Sequence, residues 1–579
     1  MGGKKDMSMM KLVVAASLIL LLVLLIQNKI RAGVLFASLA VFYYLLGYLD
    51  YTSFVSSYTN DSLISLVLLL LVSIAVERTI FIQAVSKFII GKNYLFSLLR
   101  LGILSSFISA FLNNTAVVAS FMGVVKNNKF QAPSKLLIPL SYFAVVGGTL
   151  TLIGTSTNLI VNSFVIQNSL PPLKMFDFLP VGLLLTISMI ITLMLFHKLL
   201  PQYKEQKQDI KEHLIVLKVL NTSYLIGKTV LQSKLRNLEF LFLVQINRAG
   251  SSIVPVSHNE IIQANDELVF SGDISHINSL KQFDGLEVFK DYKQSLTSLV
   301  DVVITPTSSL IGKKVKEANF RAKFDAAILS LQRGDSFIKK IGEEHLQAGD
   351  RLVLATGKDF VSRENLAKNF YLLSNIKQSN KLDNKQSFIV ISAFLLSIIS
   401  SALNLISFTK VLLLCLGFFL LFNFVKLDEI KRRFPFEIFI VVGSSLAITK
   451  VLVDSSLAKD LADLIIGVFG TYGVYGSFVG VYLLTLILTE FITNNAAAAL
   501  AFPIAFATSQ ALGVSPLPFI FAVAYAASAG FMIPHSYQTH LMVNSLCPYK
   551  ISDFLKIGFF VSIVYSAVVL LALPVFFKF

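Results

Sequence analysis

The chain has 579 residues, of which 55% are apolar and 15% charged, with a mean hydropathy of +0.72, a balance that excludes a soluble protein of this size. The formal charge of +16 does not point to nucleic acid, because Lys and Arg lie mainly in loops and in a central polar segment, without aromatic interleaving or a nucleic-acid motif. Only two cysteines occur, Cys415 and Cys547, both in or beside apolar stretches, which leaves neither a disulfide framework nor a CxxC metal site.

Apolar runs long enough to cross the roughly 30 Å hydrocarbon layer recur along the chain. They lie at 12–26, 33–49, 62–76, 176–196, 387–405, 409–425 and 556–577. The first predicts a span and not a signal peptide, since it runs straight to Gln27-Asn28-Lys29 with no small-residue cleavage pattern. Further on, Phe111-Leu112-Asn113-Asn114-Thr115-Ala116 sets amides and a hydroxyl inside an apolar run, where an unsatisfied polar group costs several kcal/mol. A helical hairpin turning at the Asn pair would present backbone N–H groups able to face an anion and carbonyls able to face a cation. The run Gly147-Gly148-Thr149-Leu150-Thr151-Leu152-Ile153-Gly154-Thr155-Ser156-Thr157-Asn158 then predicts a span broken near mid-membrane.

Hydropathy falls after Leu200-Pro201 and recovers near Ser387, leaving a polar insert of domain size. The insert repeats itself. Ser-Tyr-Leu-Ile-Gly-Lys at 223–228 returns as Ser-Ser-Leu-Ile-Gly-Lys at 308–313, each followed by a short helix-like stretch and a strand, 240–244 and 326–330. The copies close alike, in Gln263-Ala264-Asn265-Asp266-Glu267-Leu268-Val269 and Gln347-Ala348-Gly349-Asp350-Arg351-Leu352-Val353. On these residues the insert resembles two tandem C-terminal RCK (TrkA-C) domains, over 210–288 and 295–374. The resemblance implies a regulatory module that binds a small ligand of unknown identity, or a clamp that dimerises without one. No G-x-G-x-x-G loop supports a full dinucleotide-binding domain.

The second apolar half repeats the landmarks of the first. Phe491-Ile492-Thr493-Asn494-Asn495-Ala496 matches the Asn113 motif, and Ala529-Gly530-Phe531-Met532-Ile533-Pro534-His535-Ser536-Tyr537-Gln538-Thr539-His540 matches the broken span. The ends match too, Leu159-Ile160-Val161-Asn162-Ser163 with Leu541-Met542-Val543-Asn544-Ser545. A cytoplasmic insert puts Lys126, Lys129, Lys135 and Lys431-Arg432-Arg433 inside, with Lys29 and Arg31, while Lys4 and Lys5 fall outside. The expected fold is an α-helical polytopic membrane protein. It has two inverted repeats of about five spans, 1–200 and 386–579, with re-entrant hairpins and the soluble α/β insert between them.

Both halves resemble the divalent anion/sodium symporter family of sulfate and dicarboxylate carriers. That family carries Ser-Asn-Thr at each hairpin tip, with the anion between the tips, a sodium ion at each side and an elevator motion within a dimer. Carried over by position, the resemblance implies that Asn114, Thr115, Asn494 and Asn495 face the anion, with Thr155, Ser156, Tyr537 and Gln538 from the broken spans. It implies a first cation site at Ser109, Asn113, Asn114 and Gly154, and a second at Thr489, Asn494, Ser536 and the backbone of Ile492. This chain departs from Ser-Asn-Thr in both copies, and has Tyr537-Gln538-Thr539-His540 where the family has Thr-Pro-Pro-Asn.

The expected activity is Na⁺-coupled symport of a small inorganic or organic dianion, sulfate or a dicarboxylate, by a lipid-embedded homodimer in the cell membrane. The alternatives are proton coupling, for which His535 and His540 are candidates, and a ligand-gated channel. A channel predicts a filter such as Thr-Val-Gly-Tyr-Gly, of which Thr471-Tyr472-Gly473-Val474-Tyr475-Gly476 is a poor echo. His535 and His540 are more simply neutral and hydrogen-bonded within the fold. Glu77, Asp454, Asp460, Asp463 and Glu490 are expected to be interfacial or paired, Glu490 being the one that adjoins a hairpin motif. No HExxH, G-x-S-x-G or P-loop suggests an enzyme.

Overall fold

The structure is a computed structural model. It describes the chain except residues 1, 28–29, 80–88, 127, 204–213, 236–240, 250, 273–282, 289–298, 306–307, 334–335, 339–340, 358, 361–362, 364–365, 374–381, 404 and 548. The expected insert boundaries at 210, 295 and 374, and Lys29 and Phe240, lie outside the described residues. The chain forms two compact units, one of Met1–Pro201, Lys381–His540 and Ile551–Phe579, the other of Gln202–Asn380 and Leu541–Lys550.

The first unit is helical. Its N-terminal part runs α1 (Gly2–Gln27), α2 (Ala32–Leu45), α3 (Tyr51–Tyr58), α4 (Asp61–Glu77), α5 (Tyr94–Ser109), α6 (Asn114–Lys126), α7 (Pro133–Gly148), α8 (Ser156–Gln167) and α9 (Leu179–Leu195). Seven described helices are long and apolar enough to cross a membrane, from Met9–Gln27 to Ile551–Phe576. The polytopic membrane class expected from hydropathy is therefore what the chain adopts. Three expected spans are shorter helices, since α2 and Phe408–Leu421 have 14 residues and α9 has 17, against about 20 for an unaided crossing. Polar caps set the boundaries: Asn60 Oδ1 accepts from the Ser62 and Leu63 amides, ending the break between α3 and α4, and Asn93 accepts from Phe96. Large apolar side chains such as Leu195, Phe388, Leu421 and Val575 stand exposed on this unit, as a hydrocarbon-facing surface requires.

The second unit holds α10 (Phe320–Phe324), α11 (Leu366–Asn369) and two five-stranded antiparallel sheets. The first contains β1 (Leu214–Val219), β2 (Leu241–Arg248), β3 (Ser251–Ile253), β4 (Glu267–Gly272) and β5 (Leu286–Val288). The second contains β6 (Leu299–Ile304), β7 (Ala326–Arg333), β8 (Ser336–Phe337), β9 (Arg351–Thr356) and β10 (Phe370–Leu372). The strand orders, β3-β2-β4-β1-β5 and β8-β7-β9-β6-β10, are the same, and each sheet carries its bulge at the same place, Leu243/Gln245 and Ile328/Ser330. Even the polar fixings recur. Arg248 holds buried Asp266 through two nitrogens at 2.8 Å and Glu260 at 3.0 Å; Arg333 holds buried Asp350 at 2.7 and 2.8 Å and Glu344 at 2.6 Å. These carboxylates raise both guanidinium pKa values, in each case against a smaller desolvation effect. Val216, Val244 and Val269 of one sheet share an apolar cluster with Leu329, Val353 and Ala355 of the other.

The helical unit resumes at α12 (Asn384–Ala402), whose start is fixed by a reciprocal cap between Asp383 and Gln386. It continues through α13 (Phe408–Leu421), α14 (Leu427–Arg433), α15 (Phe436–Asp454), α16 (Leu457–Phe469), α17 (Gly473–Phe491), α18 (Asn494–Leu512), α19 (Leu517–Ala527), α20 (Gln538–Asn544) and α21 (Ile551–Phe576). Each half thus contains a helical hairpin, α5–α6 and α17–α18, followed by a helix broken in mid-course, α7 to α8 and α19 to α20.

Candidate functional site

Both hairpins turn at the Asn motifs because the polar side chains there cap the second helix. Asn113 Oδ1 accepts from the Thr115 amide at 3.0 Å and its hydroxyl at 2.8 Å, which starts α6. Thr493 Oγ1 accepts from the Ala496 amide at 3.4 Å and starts α18. In the broken helices the unwound stretches are 149–155 and 528–537, and the chain re-enters helix at Ser156 and Gln538. Thr155 and Tyr537, which precede those starts, share one extended conformation, φ/ψ −137°/147° and −139°/139°.

Each hairpin tip bonds to the broken helix of the other half. Asn114 meets the Tyr537 hydroxyl at 3.1 Å, and that hydroxyl lies 3.4 Å from Thr155 Oγ1. Asn494 Nδ2 donates to Thr157 Oγ1 at 3.1 Å, and Ser156 Oγ donates to Asn495 Oδ1 at 2.9 Å. The N-termini of α6, α8 and α18 therefore gather in one place, three positive dipole ends with hydroxyl and amide groups between them. The bridging side chains are all neutral. Asn114 and Thr155 are buried, as is Tyr537, while Thr115, Ser156, Asn494 and Asn495 are half-buried. Gln538 is exposed at the start of α20.

The groups considered for a cation fall into two clusters. In the first, the inner amide atom of Asn114 lies 3.2 Å from the Ala144 carbonyl, 3.3 Å from the Gly154 carbonyl and 2.7 Å from Ser109 Oγ. Two of these neighbours can only accept, so the inner atom is the nitrogen, and Oδ1 accepts from Tyr537. Asn113 is occupied with Thr115. The oxygens of the first cluster thus face a donor belonging to the protein itself.

In the second cluster Thr489 Oγ1 donates to the Ala527 carbonyl at 2.6 Å, and Ser536 Oγ sits 2.9 and 2.7 Å from the Gly530 and Ile533 carbonyls. A Cβ built on Gly530 would fall 2.9 Å from Ser536 Oγ and 3.5 Å from the Thr489 carbonyl, so Gly530 keeps these oxygens close. Ile492 is extended at φ −124°, turned out of the helix. Oxygen donors of this kind suit a hard cation.

Sequence reasoning passed over Thr157 and Tyr142 and did not give the partners of Glu490, whereas a hydrogen-bonded His540 and paired Glu77 and Asp460 were expected. Thr157 bonds Asn494, although it stands in the same polar run as Thr155 and Ser156. Glu490, 6% exposed, accepts from the Phe531 and Met532 amides at 3.1 Å each and ties the unwound stretch to α17. Tyr142 donates to the Phe531 carbonyl at 2.7 Å. His540 is fully buried, with Nε2 2.8 Å from the Gly530 carbonyl and Nδ1 2.7 Å from Ser141 Oγ, so it donates to the carbonyl and accepts from the serine. His535 is exposed. Of the acids, Glu77 pairs with Arg433 at 2.8 Å and Asp460 pairs with Lys11, while Asp454 and Asp463 are exposed.

Comparison with known proteins adds a family and relatives. A family model described as citrate transporter matches residues 10–526 and again 393–579. A Chlamydomonas reinhardtii protein named for the sulfur deprivation response is 27% identical over 86% of this chain and 90% of its own. An uncharacterized transporter of Synechocystis is 27% identical over 90% of this chain and 89% of its own. Sodium/sulfate cotransporter 1 of Chlamydomonas reinhardtii is 27% identical over 62% of this chain and 44% of its own.

Proposed function

The chain belongs to the citrate transporter family, and from that premise we propose that it moves a small divalent oxyanion, sulfate before a dicarboxylate, together with Na⁺. The chain is a transporter and not an enzyme; the substrate and coupling are our reading. The observation that carries it is the gathering of three helix N-termini with neutral hydroxyls and amides at the crossed hairpin tips. Dipole ends favour an anion, while the absence of Lys and Arg among these bridging residues leaves its second charge for a bound cation to balance. Relatives named sodium/sulfate cotransporters favour sulfate and sodium; the family description favours a carboxylate, which is why a dicarboxylate stays second.

In this reading Asn114, Thr115, Thr155, Ser156, Asn494, Asn495 and Tyr537 surround the anion. Na⁺ is held on the side of Thr489, Ile492, Asn494 and Ser536, because Asn114 Nδ2 already satisfies the oxygens of the other cluster. The two halves act as inverted repeats. The hairpins and broken helices move as one body in an elevator step within a homodimer, with the insert cytoplasmic and, as an RCK-like pair, regulating the rate. Radiolabelled sulfate uptake into proteoliposomes, with Na⁺, H⁺ or no gradient, tests the reading. Uptake that rises with a Na⁺ gradient supports it; uptake driven only by H⁺ moves the coupling to protons; no uptake under any gradient removes it.

A further inference from the structure

Thr155 and Tyr537 hold corresponding places in the two halves. Each is the last unwound residue before the broken helix resumes, with nearly the same φ and ψ, and the two side chains meet, Oγ1 to hydroxyl, at 3.4 Å. The pair is unequal in size, a threonine facing a phenol. The Tyr537 side chain is 6% exposed and lies beside the His540 ring, centroids 5.7 Å apart. His540 is itself fixed through both nitrogens, so the ring has little freedom to move aside. The tyrosine hydroxyl donates to Asn114 of the first hairpin tip. A threonine at this place would lack both the ring that lies beside His540 and the hydroxyl that reaches Asn114.

Resting on the oxyanion reading above, we propose that Tyr537 determines which anion the site accepts. The ring closes the side of the site opposite Thr155, so the space suits a compact tetrahedral dianion of the sulfate kind and rejects extended dicarboxylates and citrate. Sulfate is fully ionised near neutral pH and only accepts hydrogen bonds, so it matches hydroxyls and backbone N–H groups without needing an acceptor in return. The phenol spends its one proton on Asn114 Oδ1 and so holds the first hairpin tip in place, and its bulk contributes the exclusion.

The test uses full-length protein in proteoliposomes under the gradient that drives sulfate uptake. Competition by unlabelled succinate and citrate is measured for the wild type, Tyr537→Phe and Tyr537→Thr. The wild type should take up sulfate and ignore both carboxylates. Tyr537→Phe, which keeps the ring, should still ignore them while its sulfate KM rises about tenfold for the lost hydroxyl. Tyr537→Thr should let succinate compete at least about tenfold better than in the wild type. A folded Thr variant that still rejects succinate overturns the proposal, and so does a Phe variant that admits it; the Phe result decides alone should the Thr variant melt early. Sulfate uptake by the wild type with either of those outcomes leaves the transport reading standing and removes only the role of Tyr537. A wild type that carries succinate or citrate removes the role of Tyr537 outright.

Discussion

At the scale of single residues, the crossed bonds depend on small neighbours. A Cβ on Gly148 would fall 2.5 Å from the Asn114 side-chain amide, a distance no real Cβ tolerates. Gly148→Ala should therefore push Asn114 off Ser109 and Tyr537, lowering anion uptake at least about tenfold, while α7, where alanine is a better helix former than glycine, stays formed. Uptake within twofold of the wild type would show that the Asn114 bonds are dispensable. The Asn494–Thr157 bond can be weighed by a double-mutant cycle. Asn494→Ala and Thr157→Ala should each lower stability by about 1 kcal/mol, and the pair should lose less than the sum. Additive melting shifts would mean that the two side chains do not support one another.

At the scale of elements, the hairpins and broken helices were legible because the same polar break occurs twice, and polar groups in an apolar run demand partners. Which partners they find was not legible. Asn113 reads as an anchor for a cation, yet in the fold it caps α6 through Thr115. The run 62–76 reads as one span and α4 occupies it, but no apolar run marks α3, which Asn60 separates from α4 by capping the latter's start. Glu490 shows the same limit, since nothing in its neighbours announces that its carboxylate caps amides some forty residues on. That tether yields a prediction. Glu490→Ala leaves two buried N–H groups unpaired and should cost about 2–4 kcal/mol, abolishing uptake and lowering the melting temperature. Glu490→Gln keeps an accepting oxygen and should recover most of the melting temperature. Equal melting of the two variants would show that the carboxylate acts by charge and not by holding the unwound stretch.

At the scale of the whole molecule, two kinds of linkage can be set apart by measurement. Within the sheet unit, Asp266 and Asp350 are buried against Arg248 and Arg333. The repeat was visible in the sequence, but the arginines stand at strand ends away from the repeated hexapeptides, so their pairing needed the fold. Arg333→Ala leaves a buried carboxylate without its partner, at a cost of about 3–5 kcal/mol. Hydrogen exchange on the full chain should then rise across 299–372 and stay unchanged in α17 and α18. Within the helical unit the two halves are joined by Glu77–Arg433 at 2.8 Å and Arg78–Glu429 at 3.0 Å, where α4 of the first half ends beside α14 of the second. The Arg78 carbonyl also accepts from the Leu382 amide, just before α12 begins. These pairs are a quarter or so exposed, so each contributes only about 1 kcal/mol, less at high salt. Charge reversal amplifies the signal, since Arg433→Glu sets two carboxylates against each other at that distance. The single reversal should lower the melting temperature by about 2–4 °C, and adding Glu77→Arg should restore most of it. If the second substitution deepens the loss instead, the halves are held by their other contacts, the packing of α4 on α13 and the crossed tip bonds among them, and the ion pairs only mark where they meet.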